Sequence, residues 1–229
     1  MKALIKIVCV VVVAFVFSTV QAPASMLAWD TSGHGSPVDT TLTASTIDPG
    51  IGNSPALSRV EIIGAPTGNA FASSGWNNTA TFLQNNRYMT FTLVASAPIT
   101  LETLAFAGNG SATGARNYRW GYSVNGGAFT FSSDYLGSQV VQTFTWDFTD
   151  VPLSATDSVE FRFWSWGAVG INGGAASTGG TFRIPGNGNI DANGNDLILT
   201  YSVIPEPSTM ALIGFGLVGL LAFARRHRS

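Results

Sequence analysis

Between Ser25 and Ile204 the acid–base repertoire is one histidine, three glutamates and nine aspartates, with no cysteine and no lysine. His34, in Gly33-His34-Gly35, is the imidazole in that stretch on which a Ser-His-Asp relay could be built, and no Gly-x-Ser-x-Gly elbow supplies a nucleophile for it. Glycoside hydrolysis needs two convergent carboxylates, and Glu61, Glu102, Asp157 and Glu160 are the candidate suppliers. An odd spacing on a strand sends Asp157 and Glu160 to opposite faces, and Asp157 reads as part of the preceding turn. Solvated surface carboxylates account for the same residues. No phosphate-cradling loop or dinucleotide fingerprint stands in a strand-to-helix setting. These residues predict a non-catalytic domain without a resident organic cofactor, a hydrolase with an unusual site being the lesser alternative.

Two other chemistries have candidate residues. Asn189, Asp191, Asn193 and Asp196 crowd oxygen ligands into one glycine-containing loop, a donor set suited to Ca²⁺. The EF-hand template fails there: counted from Asn189, the twelfth position is Thr200, where a bidentate glutamate is needed. The run also reads as an Asn-Gly-rich turn between strands. Carbohydrate recognition sets flat rings against the apolar faces of pyranoses while Asn, Asp and Arg bond the hydroxyls. In Phe163-Trp164-Ser165-Trp166 the two indoles share the strand face opposite Phe161 and Phe163, and Trp76 lies in a polar Ser-Gly-Trp-Asn-Asn setting that predicts partial exposure. The alternative is that both strand faces are covered and Trp76, Trp164 and Trp166 are packing residues.

The elements that would position these groups are short strands. Tyr118, Trp120, Tyr122 and Val124 alternate with polar or small residues, and Asn125-Gly126 turns the chain into Phe129 and Phe131, the pattern of a hairpin. Phe144 to Phe148 and Val159 to Phe163 alternate in the same way, and 57–63, 88–94, 99–106, 181–184 and 196–203 are further strand candidates. Gly, Asn, Ser and Thr fill the intervals. The expected fold is all-β: an antiparallel two-sheet sandwich, jelly-roll-like, with a barrel or an immunoglobulin-like sandwich as the alternative.

The chain of 229 residues is 45% hydrophobic and only 10% charged, which excludes charge-driven disorder. Residues 25–204 form one domain with six arginines and twelve carboxylates, a formal charge of −6 that predicts no nucleic-acid partner. The apolar excess sits at the two ends. Residues 1–24 have the parts of a secretory signal: Lys2 and Lys6, an apolar run to Phe17, then Ala22 and Ala24 before Ser25. Signal peptidase is the implied partner, and because Cys9 falls inside this signal the mature chain has no thiol.

At the other end Pro205-Glu206-Pro207 precedes fifteen apolar or small residues, Met210 to Ala224, and then Arg225, Arg226 and Arg228. Fifteen helical residues reach roughly 22 Å, short for a hydrocarbon core of about 30 Å but extended by the flanking residues. The arginines keep the cytoplasmic side, which places the domain outside. The arrangement of residues 205–229 resembles the PEP-CTERM sorting signal of Gram-negative bacteria. That resemblance implies recognition of Pro205, Glu206 and Pro207 by a membrane-embedded exosortase, with the arginines as the stop-transfer end. It further implies a transmembrane precursor, then delivery to the cell envelope, surface or extracellular matrix of an organism that makes exopolysaccharide. A plain membrane anchor is the alternative for the tail. For the domain, carbohydrate binding within the exopolysaccharide and a self-assembling structural role without a specific ligand both stay open.

Overall fold

The computed structural model describes residues 24–35, 39–82, 84, 86–205 and 216. The expected signal peptide and the body of the C-terminal tail lie outside these residues. One compact unit spans Ala24–Val203. Among the described residues no helix is long and apolar enough to cross a membrane.

The unit is built from strands throughout. In chain order they are β1 (Ser25–Trp29), β2 (Thr41–Thr43), β3 (Thr46–Ile47), β4 (Ala56–Val60), β5 (Ile63–Gly64), β6 (Ala70–Ser74) and β7 (Tyr88–Val94). There follow β8 (Ile99–Gly110), β9 (Ala115–Val124), β10 (Thr130–Phe131), β11 (Tyr135–Leu136) and β12 (Gln142–Leu153). The series ends with β13 (Ser158–Gly170), β14 (Phe182–Pro185) and β15 (Leu197–Val203). One sheet has the order β3-β1-β15-β8-β14-β6-β5, with β12 on the other edge of β8. The second has the order β10-β9-β13-β7-β4-β2, with β11 also on β9. All strand pairings within the two sheets are antiparallel.

Alternation decides what each strand buries. Val159, Phe161 and Phe163 of β13 point into the space between the sheets, where they meet Leu104 and Phe106 of β8 and Leu197, Leu199 and Tyr201 of β15 in one apolar cluster. Ring packing fixes the centre: Phe91 stacks on Phe161 at 4.7 Å, and Phe163 lies 4.3 Å from Phe182. Removing one such phenylalanine side chain costs about 3–5 kcal/mol in a core of this kind, which is why register is not negotiable here.

Arg59 of β4 follows the same parity and is carried inward opposite Met89. A cation there must be fully bonded. Its Nε donates to Ser73 Oγ and its Nη2 to the Ala72 carbonyl, both at 2.8 Å, Nη1 donates to the Asp39 carbonyl, and the guanidinium lies 3.7 Å over the Phe71 ring. Burial pulls its pKa down to about 10 and the Asp39 charge opposes that shift.

The pairing registers sort the connections between two poles. Ile99 faces both Val203 and Leu153, and Ser25 faces Tyr201. The start of β1 and the end of β15 therefore share a pole with the four-residue connections 95–98 and 154–157. Connections 111–114, 137–141, 171–181 and 186–196, rich in Gly and Asn, lie at the opposite pole.

The sequence-based strands at 88–94, 117–131, 144–148, 159–163, 181–184 and 196–203 coincide with observed ones, although β8, β12 and β13 run longer than alternation suggests. Bulges explain the excess. In β12 the register shifts between Asp147 and Val151, with Thr149 (φ 54°) and Asp150 (φ 55°) in left-handed conformation, so inward and outward positions exchange midway. The candidate at 57–63 breaks after Val60 at Glu61 (φ 53°), and Ile63 begins β5 in the other sheet. Strands β1, β2, β3, β6 and β11 were not among the candidates; β6 reads Ala-Phe-Ala-Ser-Ser and is buried on both faces.

Candidate functional site

Strand β13 presents Glu160, Arg162, Trp164 and Trp166 on the face of the second sheet turned away from the core. Across the ladder Arg162 faces Thr90 and Gly121, while Trp164 faces Arg119. Trp164 and Trp166 thus come together, as alternation predicts. Both faces of the strand are nevertheless covered: Trp164 is 2% and Trp166 4% exposed. Phe82, Tyr88, Phe129 and Phe131 surround Trp164 with ring centroids 5.6–5.9 Å away, and Phe82 also packs on Trp166 at 4.9 Å.

Trp76 belongs elsewhere. It is 2% exposed, donates from Nε1 to the Ser73 carbonyl at 2.8 Å, and packs edge-on against Phe163 and Phe182 of the core. The partial exposure expected from its polar neighbours is absent: the indole turns inward, and Ser74 and Asn77 are buried beside it while Asn78 is exposed.

What solvent meets on this face is a set of half-buried rings with two clamped arginines, residues that motif reading passed over. Arg162 donates Nε and Nη2 to the two oxygens of Glu160 at 2.6 and 2.9 Å, and its guanidinium lies over Tyr88 (4.3 Å) and Phe129 (4.7 Å). Arg119 donates Nε to Asp134 at 2.6 Å and lies over Phe82 (4.4 Å) and Trp166 (5.2 Å). The signal was available in the spacing: Glu160 and Arg162, two apart on a strand, must share a face. Each pair is partly solvated and contributes on the order of 1 kcal/mol or less to stability. Its main effect is geometric, holding planar groups flat against rings and offering bonded donors and acceptors beside them, with no net charge left over. A hydroxyl-rich ligand with an apolar face suits such a surface.

In the loop expected to bind a cation, both carboxylates accept hydrogen bonds from the protein. Asp196 is fully buried; its Oδ2 accepts from Thr31 N and Oγ1 and its Oδ1 from Asn189 N, each at 3.0 Å. Asp191 accepts from the backbone N–H of Asn193 and Asn195 at 3.0 Å and from Asn195 Nδ2 at 2.8 Å, while Asn193 Nδ2 approaches at 3.5 Å. These carboxylates close turns and tie 30–35 to 186–196. Among the described residues no group of three or more His, Cys, Asp or Glu could hold a metal ion. His34 lies 3.6 Å from Asp39, and Asp157 accepts from Asn125 Nδ2 and Ser154 N in the turn before β13.

Of the sorting residues, Pro205 is exposed just beyond β15, and Glu206, Pro207, Arg225, Arg226 and Arg228 lie outside the described residues. Residues 203–228 match the PEP-CTERM protein-sorting motif. The chain carries a PEP-CTERM sorting signal there, with its Pro-Glu-Pro, apolar and arginine parts in order. No curated protein matches the chain. Among solved structures it is similar to a mutant family 29 carbohydrate-binding module complexed with mannohexaose, at 13% identity over 79% of this chain and 93% of that one, TM-score 0.37. It is also similar to TmCBM61 in complex with β-1,4-galactotriose, at 8% identity over 77% and 87%, TM-score 0.31. A third is a CBM35 from Cellvibrio japonicus Abf62, at 13% identity over 80% and 98%, TM-score 0.30. Likeness at this level fixes neither the topology nor the ligand of this chain.

Proposed function

We propose that the chain is an exported, non-catalytic envelope or matrix protein, sorted by an exosortase through residues 205–229, whose β-domain binds a neutral, hydroxyl-rich glycan of the surrounding exopolysaccharide. The observation that carries the glycan reading is the pair of ring-backed clamps, Arg119–Asp134 and Arg162–Glu160, on the outer face of the second sheet. Trp164 and Trp166 serve there as the rigid backing beneath Phe82, Tyr88, Phe129 and Phe131, and contact with sugar falls to the outer rings. The neutralised arginines and the domain charge of −6 favour neutral over acidic glycans.

Affinity electrophoresis in gels containing neutral or acidic polysaccharides tests this reading. Retardation by at least one neutral polysaccharide is expected, with Tyr88→Ala and Arg162→Ala each weakening it about tenfold, roughly 1.4 kcal/mol. Migration unchanged in every gel, together with concentration-dependent association in sedimentation, would favour the self-assembling structural alternative. Sorting is tested by the intact mass of the protein recovered from membranes and from medium. A C-terminus near residues 205–208 in the native chain, lost on Glu206→Gln, is the expected result.

A further inference from the structure

The sorting motif begins where the fold ends. Val203, the first residue of the matched stretch, is also the last residue of β15 and pairs with Ile99. Strand β15 is interior to its sheet, between β1 and β8, and Leu197, Leu199 and Tyr201 are fully buried. Fraying it to lengthen the tether would open the core. Two residues of extended chain reach at most about 7 Å, so anything that grips Pro205-Glu206-Pro207 meets the folded domain at once.

The pole it meets is a built surface. Connection 95–98 is braced from both sides: Ser96 N donates to the Gly50 carbonyl (2.8 Å), Thr156 N to the Ala95 carbonyl (2.7 Å) and Ala95 N to the Asp157 carbonyl (2.9 Å). The Tyr201 hydroxyl donates to the Asp48 carbonyl (2.7 Å), and Met26 N donates to the Asp48 carboxylate (2.8 Å). Ser96, Ser154, Ala155 and Thr156 form its exposed rim. No lysine or arginine occurs in residues 24–26, 48–55, 95–98, 154–157 or 202–205, so nothing on this pole attracts anionic lipid headgroups.

We infer that this pole, where β1 starts and β15 ends, is the docking surface for the protein that processes the tail, and that the glycine- and asparagine-rich loops of the other pole point away from that protein. The inference rests on the sorting reading. Chain geometry supplies its occupant: no spacer separates the folded edge from the recognised residues, and the braced rim, which holds Asp48 and Asp157 and no cation, suits a protein surface better than an anionic lipid one.

The test follows tail removal over time, by intact mass, in the organism that encodes the chain. Ser96→Arg and Ala155→Arg are placed on the rim and Gln139→Arg on the far pole, with folding of each checked by thermal melt. Expected is a slowing of at least fivefold for the two rim variants, wild-type kinetics for the far-pole variant, and recovery when an eight-residue Gly-Ser spacer, spanning about 15 Å, is inserted between Val203 and Ile204. Wild-type kinetics for both folded rim variants would overturn the docking surface and leave the sorting reading standing. A native tail that is never removed would overturn both.

Discussion

At the scale of single residues, the fold spends its buried polar groups on closure. Asp196 receives Thr31 and Asn189 at 3.0 Å and thereby joins the loop after β1 to the loop before β15. Asp196→Ala strands those donors in the interior, and a loss of about 3 kcal/mol in urea unfolding is expected. Two half-buried carboxylates act on acid stability. Asp157 is held below the usual carboxylate range by hydrogen bonds from Asn125 and Ser154. Asp191 is lowered as well: desolvation opposes the shift, and the bonds from Asn195 and Asn193 together outweigh it. Groups depressed in the folded state stabilise it fully above their unfolded pKa, and that contribution disappears as pH falls through the folded values. Thermal melts between neutral pH and pH 2 are expected to hold level down to about pH 4 and to decline below it. Asn125→Ala brings Asp157 back toward the ordinary range, so its melting temperature is expected to decline less between those limits.

At the scale of elements, positions that alternate cleanly were legible in advance and interrupted ones were not. The Tyr118–Val124 run, the Asn125-Gly126 turn and the outward pairing of Trp164 with Trp166 follow from period two alone. Alternation says which face a side chain takes and is silent on what lies over that face. That is why Trp76, in polar company, is a core residue, and why Trp164 and Trp166 lie beneath Phe82 and Phe131, which come from distant parts of the chain. The same limit hid the rings behind the Arg119 and Arg162 clamps, which arrive through tertiary packing. The connection between β13 and β14 shows how tightly such coverings fit: a Cβ on Gly180 would come within 2.2 Å of the Thr113 carbonyl oxygen and 2.6 Å of Gly114 N. Both neighbours are backbone. Gly180→Ala is expected to cost roughly 1–3 kcal/mol and to lower the melting temperature by several degrees.

At the scale of the molecule, the first and last strands are neighbours inside one sheet, β1 between β3 and β15 and β15 between β1 and β8. The strand that leads to the sorting motif lies inside its sheet, so the domain is complete only when the chain reaches Val203. A chain ending after Pro205 is expected to melt as cooperatively as the full domain. One ending at Asn195 lacks β15 and is expected to show neither cooperative melting nor fixed near-ultraviolet dichroism.

The sequence by itself determined the class and the address: an all-β antiparallel domain, since alternation and turn residues are local properties, and the sorting signal, since Pro-Glu-Pro, an apolar run and arginines are read in order along the chain. Only the tertiary structure decided which aromatic rings meet solvent, that Asp196 closes loops, and that the β15 end and the β1 start share a pole. Each of those depends on contacts between residues tens to more than a hundred positions apart, and no local pattern encodes which segment covers which.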